Sequence, residues 1–409
     1  MDFKLKWCCN FDSLSPSLIF GVAGVTTISI VGGVHLLFAR LLKLMQKERE
    51  RRKHLCMTGV VIRSYRGVSA VEVRSDLSIP KILSEDEVLI KVVAAGLDTM
   101  DLMVTWGHGK SLRSYLRQNN EHVDDDCIVL GRECSGIVLE AGTSVTTVSK
   151  GDEVWAVSAY CLEGLMAEYV VVKENQVALK PRNITFEEAA SLPYTAIQVC
   201  NAVMDQASLT PQSIHNKRIL VLTGNSPIGL FGIQLLKSWG GDVTTVVPTA
   251  GLPMAHLLGA NDVIVYSVTD FEEELRKRRK FDIIINAIGT IIHQLCIEIS
   301  SPGGKVITFT TTPTLTDRFQ LMAGTFYSIV VQMIAYFKKF KLGMGSSFWW
   351  DNFLYDKIYL VNTATFVEEK KIFPIVEKVW NIEEAVSAFY QLAQYENVGK
   401  NVIRISSDY

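Results

Sequence analysis

The sequence predicts an α/β protein with a doubly wound parallel sheet, an all-β region ahead of it and a transmembrane helix near the N-terminus. Three features support this prediction. Residues 186–310 alternate between strand-like and helix-like segments, residues 58–185 hold short β-type runs between turn residues, and residues 17–39 are apolar. Regular alternation of strands and helices is typical of βαβ units, whose strands form a parallel sheet.

The composition limits the domain number and the class of partner. The chain has 409 residues, 48% of them hydrophobic, and a net charge of −2. This length suffices for two domains and a tail, and the near-neutral charge gives no reason to expect a nucleic-acid partner. The eight cysteines form no CxxC pair and follow no regular spacing. We therefore expect reduced thiols in a non-secretory compartment and no structural zinc.

The apolar stretch at 17–39 is long enough for a membrane anchor, because about 20 residues cross the hydrocarbon core of a bilayer. Basic residues predominate directly after it, at 40–53. By the positive-inside rule the rest of the chain then faces the cytosol. This order fits neither a secretory signal peptide nor a matrix presequence. It predicts an anchor in the mitochondrial outer membrane, with the endoplasmic reticulum membrane as the alternative.

The elements after residue 185 are predicted from the hydrophobic period. A long helix is predicted at 186–205. Strands at 218–222, 242–247, 262–266, 282–286 and 304–310 then alternate with helices at 227–239, 253–258, 271–280 and 291–300. A further helix begins at Asn381, and a strand at 401–405 closes the chain. The apolar stretch at 324–337 is too short to span a bilayer and is expected in a core helix or a subunit interface.

Residues 218–240 form an apolar strand, a tight loop and a helix in direct succession. In a dinucleotide-binding turn, N–H groups at the start of such a helix bind the pyrophosphate. Ser226 is expected to cap the helix, Pro227 suits its first turn but lacks a donor, and Asn225 tolerates a left-handed backbone. The residues assigned to the cofactor in this loop are Gly224, Asn225, Ser226, Pro227, Ile228 and Gly229.

Several phrases along the chain occur in one order. They are GRECSGIV at 131–138, GDEVWA at 151–156, AEYVVV at 167–172, AASLPY at 189–194, LGANDVI at 258–264 and GK at 399–400. Together with the loop, they resemble the medium-chain dehydrogenase/reductase superfamily in its zinc-independent quinone-oxidoreductase branch. The resemblance covers residues 58–408.

The resemblance implies a GroES-like β domain with a Rossmann domain inserted into it. The implied boundaries are 1–55 for the anchor and basic linker, 56–185 for the first part of the GroES-like domain, 186–340 for the Rossmann domain and 341–409 for the return to the GroES-like domain. It also implies NADPH as cofactor, a quinone or another apolar carbonyl compound as substrate, and a homodimer.

The resemblance also indicates the site residues on the substrate side. Arg132 stands where zinc-dependent members carry a histidine ligand, so we expect no catalytic zinc. Asp98 and Asp101 occupy the family's Asn-Pro-x-Asp phrase. They either relay a proton or act as loop caps, and both interpretations stay open. Tyr194 either donates a hydrogen bond to a substrate oxygen or packs half-buried.

The cofactor positions depart from the family pattern. Thr223 and Ser226 replace the first two glycines of the phosphate-binding phrase, and Gly229 retains the last. The region after the second Rossmann strand, with Thr249, lacks the acidic residue typical of NAD recognition. Other implied contacts are Tyr266, Gly289 and Lys400. Because of these departures, a second hypothesis is a pseudoenzyme that keeps the fold as a membrane-bound interaction platform.

Overall fold

The computed structural model describes residues 56–117, 127–159, 161–309, 317, 345–349, 357–394 and 397–406. The predicted transmembrane segment at 17–39, the basic linker and the apolar stretch at 324–337 lie outside the described residues. Within the ranges that are described, no helix has the length and hydropathy needed to cross a membrane.

The strands, in chain order, are β1 Cys56–Ile62, β2 Val71–Ser78, β3 Glu87–Leu97, β4 Ile128–Val129, β5 Glu133–Ala141, β6 Glu153–Val157, β7 Tyr169–Lys173, β8 Val177–Leu179, β9 Arg218–Leu222, β10 Asp242–Val247, β11 Asp262–Val265, β12 Phe281–Asn286, β13 Ser300–Phe309, β14 Gly345–Trp349, β15 Val376–Asn381 and β16 Lys400–Arg404.

The α-helices are α1 Thr99–Thr105, α2 Lys110–Arg117, α3 Phe186–Ala189, α4 Pro193–Cys200, α5 Pro211–Ile214, α6 Pro227–Ser238, α7 Leu252–Leu257, α8 Phe271–Lys277, α9 His293–Ile299, α10 Ile358–Glu368 and α11 Ala385–Leu392.

The predicted doubly wound sheet is confirmed. It is parallel throughout, with strand order β11-β10-β9-β12-β13-β14. Strands β9 and β10 have the predicted bounds, and β9 is almost entirely buried. Near-continuous apolar runs are expected here because helices cover both faces of a parallel sheet.

The GroES-like region consists of two mainly antiparallel sheets, and the larger one includes strands from the end of the chain. Its larger sheet has the order β15-β16-β3-β5-β6-β8, with β7 paired to β3, and a smaller sheet has the order β2-β1-β4. Strand β16 pairs antiparallel with β3. The last strand therefore returns to the first domain, as the resemblance implies, and brings residues 397–400 next to residues near position 98.

Two local predictions were wrong. The single helix at 186–205 is divided into α3, α4 and a π-helical turn at Asn201–Gln206, because Pro193 has no N–H to continue a helix and instead starts a new one. The region 58–185 is not purely β, since it contains α1 and α2. Helix α1 begins with a capping box formed by Asp98 and Asp101. The spacing of these two residues would have allowed the start of this helix to be predicted from the sequence.

Candidate active site

The strand order reverses between β9 and β12. The chain leaves β9 towards β10 on one side and leaves β12 towards β13 on the other. In doubly wound sheets, ligands bind in the crevice outside the carboxyl ends of the strands at such a switch point. The loop at 223–226 comes directly after β9 and the turn at 287–289 directly after β12, so both border this crevice.

The backbone of the β9–α6 loop differs from the expectation in one respect. The left-handed residue is Thr223, with φ +60, and Asn225 is absent from the positive-φ residues of the described chain. Asn225 would tolerate that conformation but does not adopt it. Thr223 occupies the family's first glycine position, and a left-handed backbone is unfavourable for a β-branched residue. Ser226 caps α6 as expected, with its Oγ accepting the N–H of Gly229 at 3.1 Å.

Gly224 and Gly229 are required by close packing. A Cβ on Gly229 would lie 2.1 Å from the carbonyl oxygen of Thr223, and a Cβ on Gly224 would lie 2.1 Å from Thr245 Oγ1. A larger residue at Gly229 would require the loop backbone to move, and one at Gly224 would displace the side chain of Thr245. These two glycines thus allow α6 and β10 to pack closely against the loop.

Asn225 connects the loop to the C-terminal part of the chain. Its side chain is mostly buried, its Nδ2 donates to the carbonyl of Asn397 at 3.0 Å, and its own carbonyl accepts the N–H of Gly399 at 3.1 Å. Sequence reasoning did not foresee this contact, because 172 positions separate Asn225 and Asn397.

Thr249 and Tyr266 lie at the carboxyl ends of β10 and β11. Thr249 begins a short 3-10 turn, and its N–H donates to Ser267 Oγ at 3.3 Å. The Tyr266 side chain is 48% exposed, and its N–H donates to the carbonyl of Val247 at 3.1 Å. Both residues therefore lie on the edge of the sheet where an adenosine would be expected.

The turn after β12 is held by the side chain of Asn286. Its Oδ1 accepts the N–H groups of Ile288 at 3.0 Å and Gly289 at 3.2 Å, and its Nδ2 donates to the carbonyl of Gly289 at 2.7 Å. Gly289 has φ +105 and no neighbour closer than 3.9 Å to an added Cβ. This turn has room for a ligand beside it.

Asp98 and Asp101 form the capping box of α1. Asp98 Oδ1 accepts the N–H of Met100 at 2.9 Å, and Asp101 Oδ2 accepts the N–H of Asp98 at 3.0 Å. Asp101 has no exposed surface, and its other oxygen accepts the N–H of Gly131 at 2.9 Å. Burial raises the pKa of Asp101, although the nearby Arg132 guanidinium opposes this. These contacts are the ones expected if Asp98 and Asp101 act as helix caps.

Lys400 is the centre of a buried charged cluster, which we call the Lys400 cluster and which consists of Lys400, Asp98 and Glu133. The Lys400 Nζ lies 2.5 Å from Asp98 Oδ2 and 2.6 Å from Glu133 Oε1, and the Lys400 side chain is 2% exposed. Burial alone lowers the pKa of Lys400, but the two carboxylates reverse this effect and raise it. The Lys400 ammonium thus forms ion pairs with two carboxylates, whereas the sequence led us to expect it to contact the cofactor.

Glu133 joins this cluster to α4. Its Oε2 accepts the N–H of Tyr194 at 2.9 Å. Burial raises the pKa of Glu133 to about 7, against the opposing charge of Lys400. The Tyr194 side chain has no exposed surface, which corresponds to a packing role. Glu133 was missed from the sequence. The available signal was a pair of opposite charges, Glu133 and Lys400, each at the start of a strand with an apolar segment, since buried charges need partners.

The residues at the family's metal position do not fit zinc. Arg132 is fully buried, with Nε 3.3 Å from Asp101 Oδ1 and Nη1 2.5 Å from the carbonyl of Ala159. A guanidinium stays protonated and offers no lone pair to a metal. Burial raises the pKa of the nearby Cys134 thiol, away from the thiolate form that zinc binds. No three His, Cys, Asp or Glu side chains converge in the described part of the chain.

Comparisons with known proteins identify the families and relatives that this chain resembles. The alcohol dehydrogenase GroES-like domain matches residues 84–182, and the zinc-binding dehydrogenase family matches residues 258–403. The mitochondrial NAD(P)H oxidoreductase RTN4IP1 of Danio rerio is 31% identical over 359 residues, which cover 86% of this chain and 92% of that protein. The chloroplastic NADPH-dependent alkenal/one oxidoreductase of Arabidopsis thaliana is 34% identical over 262 residues, which cover 62% of this chain and 62% of that protein.

Solved structures share the fold. The quinone oxidoreductase from Coxiella burnetii superposes with a TM-score of 0.68 at 22% identity, covering 86% of this chain and 100% of that one. The CurK enoyl reductase superposes with a TM-score of 0.67 at 18% identity, covering 86% of this chain and 99% of that one. At these identities the likeness concerns the fold alone.

Proposed function

Because the chain belongs to the medium-chain dehydrogenase/reductase superfamily, we propose that it is a membrane-anchored, zinc-independent NADPH oxidoreductase that reduces a quinone or another apolar carbonyl compound. Support comes from relatives that are named NAD(P)H oxidoreductase and NADPH-dependent alkenal/one oxidoreductase. The domain boundaries at 186 and 340 and the homodimer are parts of the same proposal.

The observation that carries the cofactor assignment is the crevice between β9 and β12. It is bordered by a capped helix start at Ser226, by the backbone of Ile228 in the first turn of α6, and by the open turn at Gly289. A helix start offers N–H groups and a positive dipole end to a phosphate. Thr249 and Tyr266 would then flank the adenosine.

A bound reduced nicotinamide supplies the hydride. The remaining task of the chain is to orient the substrate and to hold a proton near the oxygen that becomes negative. We assign the relay of that proton to Asp98, because its 13% exposed carboxylate contacts the Lys400 ammonium, whose N–H can pass a proton to the carboxylate and from there to the substrate oxygen. Asp101 and Tyr194 have no exposed surface, so they position α1 and α4 instead.

The cofactor assignment can be tested without disturbing the helix cap. The substitution Ser226→Asp keeps a good capping residue but adds a negative charge where the pyrophosphate would lie. Thr210→Asp is the matched control, because Thr210 caps α5, which also begins with a proline. We expect Ser226→Asp to weaken NADPH binding at least about tenfold, which corresponds to about 1.4 kcal/mol, and Thr210→Asp to leave it unchanged. Equal NADPH affinity of both variants and the wild type in a fluorescence titration would exclude this crevice.

For the location, we propose an anchor at 17–39 in the mitochondrial outer membrane with the globular body in the cytosol. Several relatives are named mitochondrial, and the basic residues at 40–53 favour the cytosolic side for residues 56–409. Deletion of residues 1–40 should release the protein to the soluble fraction. Protease added to intact mitochondria should digest the body of the full chain. Resistance to the protease would contradict this orientation, and co-fractionation with microsomes would favour the endoplasmic reticulum.

A pseudoenzyme remains the second candidate, and two observations favour it. Thr223 takes a backbone conformation that suits glycine, and Pro227 removes one donor from the start of α6. Titration of the full chain with NADPH separates the two functions, because a pseudoenzyme of this kind shows no saturable binding up to millimolar cofactor.

A further inference from the structure

Asn225 makes two hydrogen bonds to the same short segment of the C-terminal region. Its Nδ2 donates to the Asn397 carbonyl at 3.0 Å, and its carbonyl accepts the Gly399 N–H at 3.1 Å. We call this pair of bonds the Asn225 latch. One bond uses the side chain and the other the backbone, so the latch fixes both the position of the loop and the plane of its peptide.

The segment at 397–400 is itself fixed from the other side. The Lys400 N–H donates to the carbonyl of Ile375 at 2.9 Å, and the Lys400 side chain ends in the buried cluster with Asp98 and Glu133. Gly399 has φ +111, and a Cβ on it would lie 2.6 Å from the Ile375 carbonyl oxygen. Only glycine fits between Ile375 and the latch. The segment is therefore a rigid support for the loop.

The latch explains the residue type at position 225. This position lies between the glycine positions of the family phrase, and Asn225 does not adopt a positive φ, so its own conformation does not require glycine. Its amide instead forms a bond that glycine lacks. The hydrogen bonds to Asn397 and Gly399 thus fix the β9–α6 loop to a segment outside it and limit the motion of the loop.

We propose that Asn225 is a positioning residue for NADPH, which acts through the latch to hold the start of α6 in the orientation that binds the pyrophosphate. This proposal rests on the function proposed above. A preorganised loop lowers the conformational cost of binding, so loss of the latch weakens cofactor binding without changing the reacting groups. One hydrogen bond of this kind corresponds to about a three- to tenfold change in affinity.

The test compares Asn225→Ala and Asn225→Gly in the full chain, purified in detergent. Asn183→Ala is the matched control, because the Asn183 amide likewise donates to a distant backbone carbonyl, that of Val367, at 2.9 Å, but lies away from the loop. The readouts are the Kd of NADPH, the KM for NADPH and kcat with menadione as a soluble quinone. The substitutions remove the side-chain bond and leave the backbone carbonyl that accepts the Gly399 N–H. Hydrogen exchange at Gly399 therefore shows whether the remaining bond loosens, and thermal melting of each variant measures the integrity of the fold.

We expect both Asn225 variants to raise the Kd and KM of NADPH about three- to tenfold, with kcat at saturating NADPH unchanged and faster exchange at Gly399. The glycine variant is decisive. If the loop merely needed glycine, Asn225→Gly would bind NADPH as tightly as the wild type or more tightly, and the proposal would be wrong. A fall in kcat with unchanged KM would also contradict it.

Failure of the latch and failure of the function give different results. If the wild type binds NADPH and both variants bind it equally well, only the role of Asn225 is lost. If the wild type does not bind NADPH, the proposed oxidoreductase function fails, and with it the role of Asn225 in cofactor binding. If Asn225→Ala does not fold, thermal melting identifies this, and the glycine variant, which lacks the same side-chain bond, carries the comparison.

Discussion

The Lys400 cluster predicts a specific dependence of stability on pH. Burial raises the pKa of Glu133 from its usual 4.5 to about 7. Between these two values the folded protein keeps a proton on Glu133 that the unfolded chain has lost. The free energy of unfolding therefore falls as the pH rises through this window, and the contribution of a group with a raised pKa is lost above it. A shift of this size corresponds to about 3 kcal/mol.

The substitution Glu133→Gln removes this titration while keeping the size of the side chain. Unfolding of the wild type and the variant in urea, monitored by circular dichroism at several pH values, gives the difference in their free energies of unfolding. We expect that difference to change by about 3 kcal/mol from pH 4.5 to pH 7, with the wild type losing stability relative to the variant as the pH rises. Other buried carboxyls affect both proteins alike and cancel.

Glu140→Gln is the control for this experiment, since Glu140 lies on the same strand but is exposed. It should leave the difference independent of pH. A Glu133→Gln difference that stays constant over the window, or that changes in the opposite direction, would refute the reasoning about the cluster. In addition, Lys400→Met leaves two buried carboxylates without their cation and should cost about 3–5 kcal/mol at neutral pH.

Three further predictions concern the loop and α1. Thr223→Gly should raise the free energy of unfolding by about 1 kcal/mol, because glycine adopts φ +60 without strain, and thermal melting checks this. Gly229→Ala should lower the melting temperature strongly, because the added Cβ would lie 2.1 Å from the Thr223 carbonyl oxygen, so weaker NADPH binding in that variant would reflect misfolding. Asp98→Asn keeps a good helix cap but removes one carboxylate partner of the buried Lys400 ammonium, so we expect a lower melting temperature and, in the folded variant, a kcat at least about tenfold lower. An unchanged kcat in that variant would show that Asp98 is only a cap.

The parallel sheet was predictable because its signals are local. Each strand and helix carries its own hydrophobic period, and strands β9 and β10 end where the sequence indicates. The division of the helix at 186–205 also has a local signal, Pro193. We nevertheless predicted one continuous helix, because the apolar residues keep a helical period across the proline. The helices α1 and α2 were hidden by the surrounding strands, although the capping pair Asp98 and Asp101 marks the start of α1.

The candidate site was less predictable because its decisive contacts join distant parts of the chain. The sequence places Lys400 in a family phrase that points to a cofactor, but only the pairing of β16 with β3 shows that its ammonium faces Asp98 and Glu133. The bond between Asn225 and Asn397 likewise depends on how the chain returns to its first domain. Neither contact leaves a periodic trace in the sequence.

These contacts change what the loss of glycines means for catalysis. Thr223 replaces a family glycine and carries a left-handed backbone at an energetic cost, whereas Asn225 lies between the glycine positions, has no positive φ and adds one side-chain bond to Asn397. If the loop had no function, we would not expect a new contact that supports it next to the strained Thr223. The external support at Asn225 is expected for a loop whose shape is still needed, because a strained conformation such as that of Thr223 persists only where the surroundings hold it. This argument favours the oxidoreductase over the pseudoenzyme, and binding of NADPH to the full chain decides between them.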